Sequence, residues 1–124
     1  MSYPRMFKEE LIEHGETFSL TVLELKNALL VFFNEGRETR LGTMAVSMPP
    51  INAQCASSIL LGDRNTVMTR VFAEKFASAT GKISLVSVYS QAESLEGTGS
   101  INVFLKMVKK ALSLLSQGVE EPQK

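Results

Sequence analysis

The stretch Ser57-Ser58-Ile59-Leu60-Leu61-Gly62-Asp63-Arg64-Asn65-Thr66-Val67-Met68-Thr69-Arg70-Val71-Phe72-Ala73-Glu74-Lys75-Phe76 decides the reading of this chain. Ile59 to Leu61 form a short apolar run that Gly62 ends, and beyond it Val67, Met68, Val71, Phe72 and Phe76 recur at helical spacing on one face. The pattern predicts a buried strand, a sharp turn at Gly62-Asp63 and an amphipathic helix that Asp63 or Asn65 can cap. A strand-to-helix turn often seats a phosphate or a nucleophile. This one has neither a Gly-x-x-x-x-Gly-Lys-Ser/Thr loop nor a Gly-x-Gly-x-x-Gly pattern, and Asp63 places negative charge where an anion would sit. It reads as a helix start, with Arg64 a surface or interface side chain, arginine being enriched in binding hot spots.

Working outward, Thr17 to Leu25 alternate, with Phe18, Leu20 and Val22 on one face and Thr17, Ser19 and Thr21 on the other, the period of a strand. Lys26-Asn27 predicts a tight hairpin that returns Ala28 to Phe33 antiparallel to it. The polar turn Asn34 to Thr39 leads to a strand from Arg40 or Leu41 to Met48, stopped by Pro49-Pro50 because proline cannot donate to a ladder. A strand from about Ala56 to Leu61 precedes the helix, which spans about Asn65 to Ala79 and closes at Thr80-Gly81. Ile83 to Ser90 is β-rich, and Gln91 to Gly99 reads as a mobile loop. Ile101, Phe104, Leu105, Val108, Ala111, Leu112 and Leu115 trace one stripe on a last helix, with Ser100 as its N-cap and Gly118 as its stop. In the N-terminal segment, residues 1–15, Phe7, Leu11 and Ile12 predict a short helix. The tail, residues 119–124, is polar and expected to be disordered.

The length of 124 residues suits a single domain, residues 1–124, that buries most of its core without a disulfide. Thirteen basic and thirteen acidic side chains balance, so neither nucleic acid nor an anionic membrane is an expected partner. The longest apolar run, Ala28 to Phe33, is too short to cross a bilayer. One cysteine and an N-terminus without the apolar core of a signal peptide predict a cytoplasmic protein, or a nuclear one.

The order of elements predicts an α+β fold, an antiparallel sheet with two long helices packed on one face. Ala28 to Phe33 are apolar on both faces and Ile83 to Tyr89 carry apolar residues of both parities, as in a sheet buried on both sides. Two helices cover one face, so a partner subunit is expected on the other. No constellation points to catalysis, a cofactor or a metal, and the chain is expected not to be an enzyme. Cys55 and the sole histidine, His14, stand some forty residues apart and predict no nucleophile and base. Glu9, Glu10, Glu13, Glu93 and Glu96 read as solvated surface, as do Lys106, Lys109 and Lys110. Met44, Met68 and Met107 read as gap fillers.

Gly42 to Met48, then Ser57 to Asp63 running into a helix, then Thr80-Gly81-Lys82 and a strand ending Ser87-Val88-Tyr89, resemble the small proteasome assembly chaperones, their third and fourth members and more closely the fourth. The Leu60-Leu61-Gly62-Asp63 junction is the most specific part of the match, which runs from about Thr17 to about Leu115. The resemblance implies a non-enzymatic chaperone that dimerises with itself or a related subunit. It would hold proteasome α-type subunits while the α-ring of the 20S core particle assembles, without nucleotide or metal. Partner contacts are assigned to Arg64, Asn65 and the Gln91 to Gly99 loop, and on the strands to Thr21, Leu23, Ala45, Ser87 and Tyr89. The competing reading is a roadblock- or longin-like scaffold regulating a small GTPase complex. Those folds place a long helix between their early strands, which this chain does not.

Overall fold

The structure, a computed structural model, describes residues 2–13, 15–91 and 99–120, with the side chains of 99, 100 and 117–120 left aside. Six strands, β1 (Arg5–Glu13), β2 (Glu16–Glu24), β3 (Ala28–Glu35), β4 (Thr43–Ser47), β5 (Ser57–Leu61) and β6 (Ile83–Tyr89), form one sheet in the order β1-β2-β3-β6-β4-β5. Two helices accompany it, α1 (Thr66–Thr80) and α2 (Gly99–Glu120). The fold is α+β, as expected. Four of the five pairings are antiparallel, while β3 and β6 run parallel.

That parallel pair corrects the expected run of hairpins. β4 does not return beside β3; β6 lies between them. The apolar residues of both parities in β3 and β6 account for this, because such strands are stable at the middle of a sheet, with a neighbour on each edge. The hairpin at Lys26-Asn27 does form, closed by the Leu25 N–H donating to the Ala28 carbonyl at 2.8 Å.

Residues 5–13 are a strand and not the helix expected of them. Phe7, Glu9, Leu11 and Glu13 are half-buried and point toward the helices, while Met6, Lys8, Glu10 and Ile12 are exposed. The alternation is hard to see in the sequence because two of its inward positions are glutamates. Lys110 Nζ lies 3.0 Å from Glu9 Oε1, and Lys106 Nζ lies 3.1 Å from Glu13 Oε2. Two lysines read as solvent-facing thus fasten α2 to the edge strand.

Both helices pack on one face of the sheet. α1 lies over β4, β5 and β6, and α2 over β1 and β2. Phe18, Leu20 and Val22 of β2, Leu29, Val31 and Phe33 of β3, Ala45 of β4, and Val86 and Val88 of β6 meet Phe72 and Phe76 of α1 and Phe104, Val108 and Ala111 of α2. The Phe33 ring sits at the centre, 5.2 Å from Phe72, 5.6 Å from Phe104 and 6.2 Å from Phe76 between centroids. Met107 is in this core and Met68 packs against it, as expected of gap fillers; Met44 lies on the opposite face.

α1 ends as predicted, at Gly81 in the left-handed region (φ 71°), its N–H donating to the Ala77 carbonyl at 2.8 Å. Its start differs. Asn65 is the cap residue but is itself left-handed (φ 56°) and makes no side-chain capping bond. A cap acts from an extended backbone that aims its oxygen at the next amides. Here the first turn is held by the Asn65 carbonyl, which accepts from the Thr69 N–H at 2.9 Å and from Thr69 Oγ1 at 2.8 Å. α2 is already helical at Gly99, so Ser100 lies within it, and it continues past Gly118 to Glu120. Glycine permits a stop without imposing one. Val119 and Glu120 of the expected disordered tail are therefore helical. Residues 121–124, 92–98 and His14 lie outside the described residues.

The sequence reading missed one polar device. Glu24, at the end of β2, is buried, yet its carboxylate accepts from Arg5 Nε at 2.8 Å and from Lys82 Nζ at 2.7 Å. Lys82 Nζ also donates to the Leu25 carbonyl at 2.8 Å. One carboxylate thus joins the start of β1, the end of β2 and the approach to β6.

Phe72→Ala is expected to cost ~3–5 kcal/mol in a denaturant melt, the usual loss for a buried phenylalanine. Lys109→Ala, at an exposed position, should cost less than ~0.5 kcal/mol. Glu24→Gln should cost about 3 kcal/mol, because it strands two partly buried cations, and the loss should exceed that of Glu10→Gln on the exposed side of β1 by the same assay.

Candidate protein-interaction face

The sheet face turned away from the helices is built by the register of the strands. Met6 pairs with Leu23, Leu23 with Leu30, Leu30 with Leu85, and Leu85 with Val46, so one apolar residue from each of five strands lines up in a single row. The next row reads Lys8, Thr21, Phe32, Ser87, Met44, and the one after it Glu10, Ser19, Asn34, Tyr89. Polarity therefore grades across the face from apolar through mixed to polar. Leu23, Leu30, Phe32, Met44, Val46 and Leu85 are half-buried by their neighbours alone, Met6 is 71% exposed and Leu60 of β5 is 52% exposed.

The polar row has a cover made by the chain itself. Because β6 stands between β3 and β4, the connection 36–42 must cross β6, and it does so over this face. The Asn34 side-chain carbonyl accepts from the Arg40 N–H at 2.7 Å, and Ser87 Oγ accepts from the Gly42 N–H at 2.8 Å. Lys8 Nζ donates to the Arg37 carbonyl at 3.1 Å, Thr21 Oγ1 lies 3.4 Å from Thr39 Oγ1, and the Arg40 guanidinium stands 5.5 Å from the centre of the Tyr89 ring. The crossing is tight at Gly42. A Cβ there would stand 2.1 Å from the Val88 carbonyl oxygen, so the loop can lie this close only without a side chain. The loop buries Ser19 and Asn34 of the polar row and Ser87 of the mixed row, and leaves the apolar row open.

The residues assigned to partner contact fall into three groups. Thr21, Leu23, Ser87 and Tyr89 do share this face, although Ser87 is buried beneath the crossing loop. Arg64, exposed, and Asn65, half-buried, sit in the turn between β5 and α1, beside the start of β4: a Cβ on Gly62 would stand 2.7 Å from the Thr43 Cα. Ala45 is a correction. It points to the helix side and is 0% exposed in the core, so it offers no surface to a partner. Leu30, Phe32, Val46 and Leu85 were not singled out, although the apolar residues of both parities in β3 and β6 were the available signal. Which parity faces outward depends on where the helices pack.

Among the described residues no group of three or more His, Cys, Asp or Glu could hold a metal ion, and no helix is long and apolar enough to cross a membrane. Cys55 is half-buried, its Sγ 3.8 Å from the Glu74 carbonyl. The face can bury apolar area against another protein.

No protein-family model and no curated protein sequence matches the chain. Among solved structures it is similar to a chain of a crystal structure described as a novel chaperone complex for yeast 20S proteasome assembly. The TM-score is 0.65 at 16% identity, over 91% of this chain and 95% of that chain. A likeness at that identity is a likeness of fold.

Gly42→Ala is expected to lower stability by at least about 2 kcal/mol, since backbone and not a movable side chain blocks the added methyl. Amide hydrogen exchange across residues 36–42 should rise with it. A variant as stable and as protected as the parent would show that the loop does not depend on this approach.

Proposed function

We propose that the chain is a non-enzymatic assembly chaperone for the 20S proteasome. In this reading it pairs with a second copy or a related subunit through the Met6-Leu23-Leu30-Leu85-Val46 row and holds an α-type subunit during α-ring assembly. The observation that carries the reading is the joint one: a fold similar, over nearly its whole length, to a chain of a proteasome assembly chaperone complex, with an apolar row on the sheet face its own helices do not cover. The residue-level resemblance around Ser57 to Asp63 points to the same target. Interfaces of stable pairs are apolar at their centre and polar at the rim, and this face grades in that way. The lone cysteine suits a reducing compartment, and we place the protein in the cytoplasm or nucleus.

Against the GTPase-scaffold reading stands the order of elements, with five strands before the first helix. The test is binding of purified chain, alone and with candidate sister subunits, to isolated proteasome α subunits in the absence of nucleotide and metal. Binding is expected, and Leu30→Glu should weaken pairing by about 30-fold or more, worth about 2 kcal/mol at the centre of an interface, with circular dichroism unchanged. Capture of a small GTPase or its regulator in place of α subunits would replace this reading with the scaffold one.

A further inference from the structure

We propose that the groove between α1 and α2 is a second docking site, which takes one amphipathic helix of a partner protein bearing carboxylates beside its apolar stripe. The site lies on the opposite side of the sheet from the open face, and the proposal stands whether or not that face pairs. Each helix packs on its own half of the sheet, and the two touch each other sparingly. Between them, with Ala53 and Cys55 at one end, a groove of about 650 Å³ is left, open to solvent along one side. Its walls keep helical spacing. Val71 and Lys75 stand on α1, with Leu105, Lys109 and Leu112 on α2, and both walls extend for about two turns, roughly 12 Å. Two helical walls with a trough between them can seat a third helix, read as anchors at i, i+3, i+4 and i+7. Leu105 and Leu112 are half-buried, so the apolar stripe of α2 is wider than the sheet covers, and Val71 of α1 is half-buried opposite them.

Charge selects the occupant. α2 directs Lys106 and Lys110 toward β1, where Glu13 and Glu9 match them, whereas Lys109 and Lys75 are exposed at the groove and have no ion pair among the described residues. One carboxylate, Glu74, also lines the groove; it accepts from Ser57 Oγ of β5, which in turn accepts from Arg70 Nε at 3.0 Å. The groove thus carries two lysines, one on each wall, against the single carboxylate of Glu74 among its lining residues, and glutamate or aspartate flanking a leucine-rich stripe complements both lysines.

The chain carries its own reporter, since its single cysteine, Cys55, lines one end of the groove. The full chain is mixed with an end-capped peptide of about 16 residues, leucines at i, i+3, i+4 and i+7 and glutamates beside them, or with its counterpart carrying lysines in place of glutamates. The alkylation rate of Cys55 by iodoacetamide is then followed. The glutamate peptide should slow alkylation at least about fivefold and bind at least about tenfold more tightly than the lysine peptide at low salt, the gap shrinking as salt is added. Lys75→Glu with Lys109→Glu, both at exposed positions, should invert the preference, and Lys75→Gln with Lys109→Gln should abolish it. Leu30→Glu on the other side of the sheet should change neither measurement. Equal binding of the two peptides, unprotected Cys55, indifference to both lysine pairs, or loss of protection in Leu30→Glu would each overturn the proposal.

Discussion

The contact of Phe33 with Phe72, Phe76 and Phe104 is the interaction on which the rest of this structure depends. Phe33 belongs to a strand near the middle of the sheet, two of its aromatic neighbours to one helix and the third to the other, so one ring sets the seat of both helices. Phe104 also meets Phe18 edge to face at 5.6 Å, which carries the packing out to β2. Offset and edge-on rings contribute beyond their buried area.

A second constraint comes from topology. Two strands apolar on both faces cannot both lie at a sheet edge without exposing backbone and side chains together, and pairing them in parallel at the centre removes that cost. The connection from β3 to β4 must then cross β6, and because it crosses over the face opposite the helices it covers the polar row there. What remains uncovered is the apolar row, with Lys8 and Glu10 of the edge strand beside it. The open face is thus a consequence of where β6 inserts, and its polar border is made by the loop that the insertion requires.

Charges in this protein mostly serve placement. Glu24 draws Arg5 and Lys82 to one corner of the sheet, while Glu9 and Glu13 meet Lys110 and Lys106 across the edge strand. The exposed pairs contribute little stability each. They lie on the flank of α2 that faces β1, while Lys109 stands at the groove.

The sequence alone determined the α+β class, the alternation of β2, the two long helices and the left-handed end of α1 at Gly81, because each of these rests on local periodicity or on the conformational freedom of a single residue. It also carried the sign that the sheet is apolar on both faces. It could not show that Glu9 and Glu13 occupy inward positions of a strand, since the lysines that make this tolerable, Lys110 and Lys106, lie at the far end of the chain. Nor could it place Ala45 in the core and Leu30, Leu85 and Val46 in one row. Side-chain parity within a strand is local, but which parity meets a helix, and which residue stands beside which, is decided by strand order and register. Those are set when Phe33 and its neighbours pack, and only the tertiary structure records them.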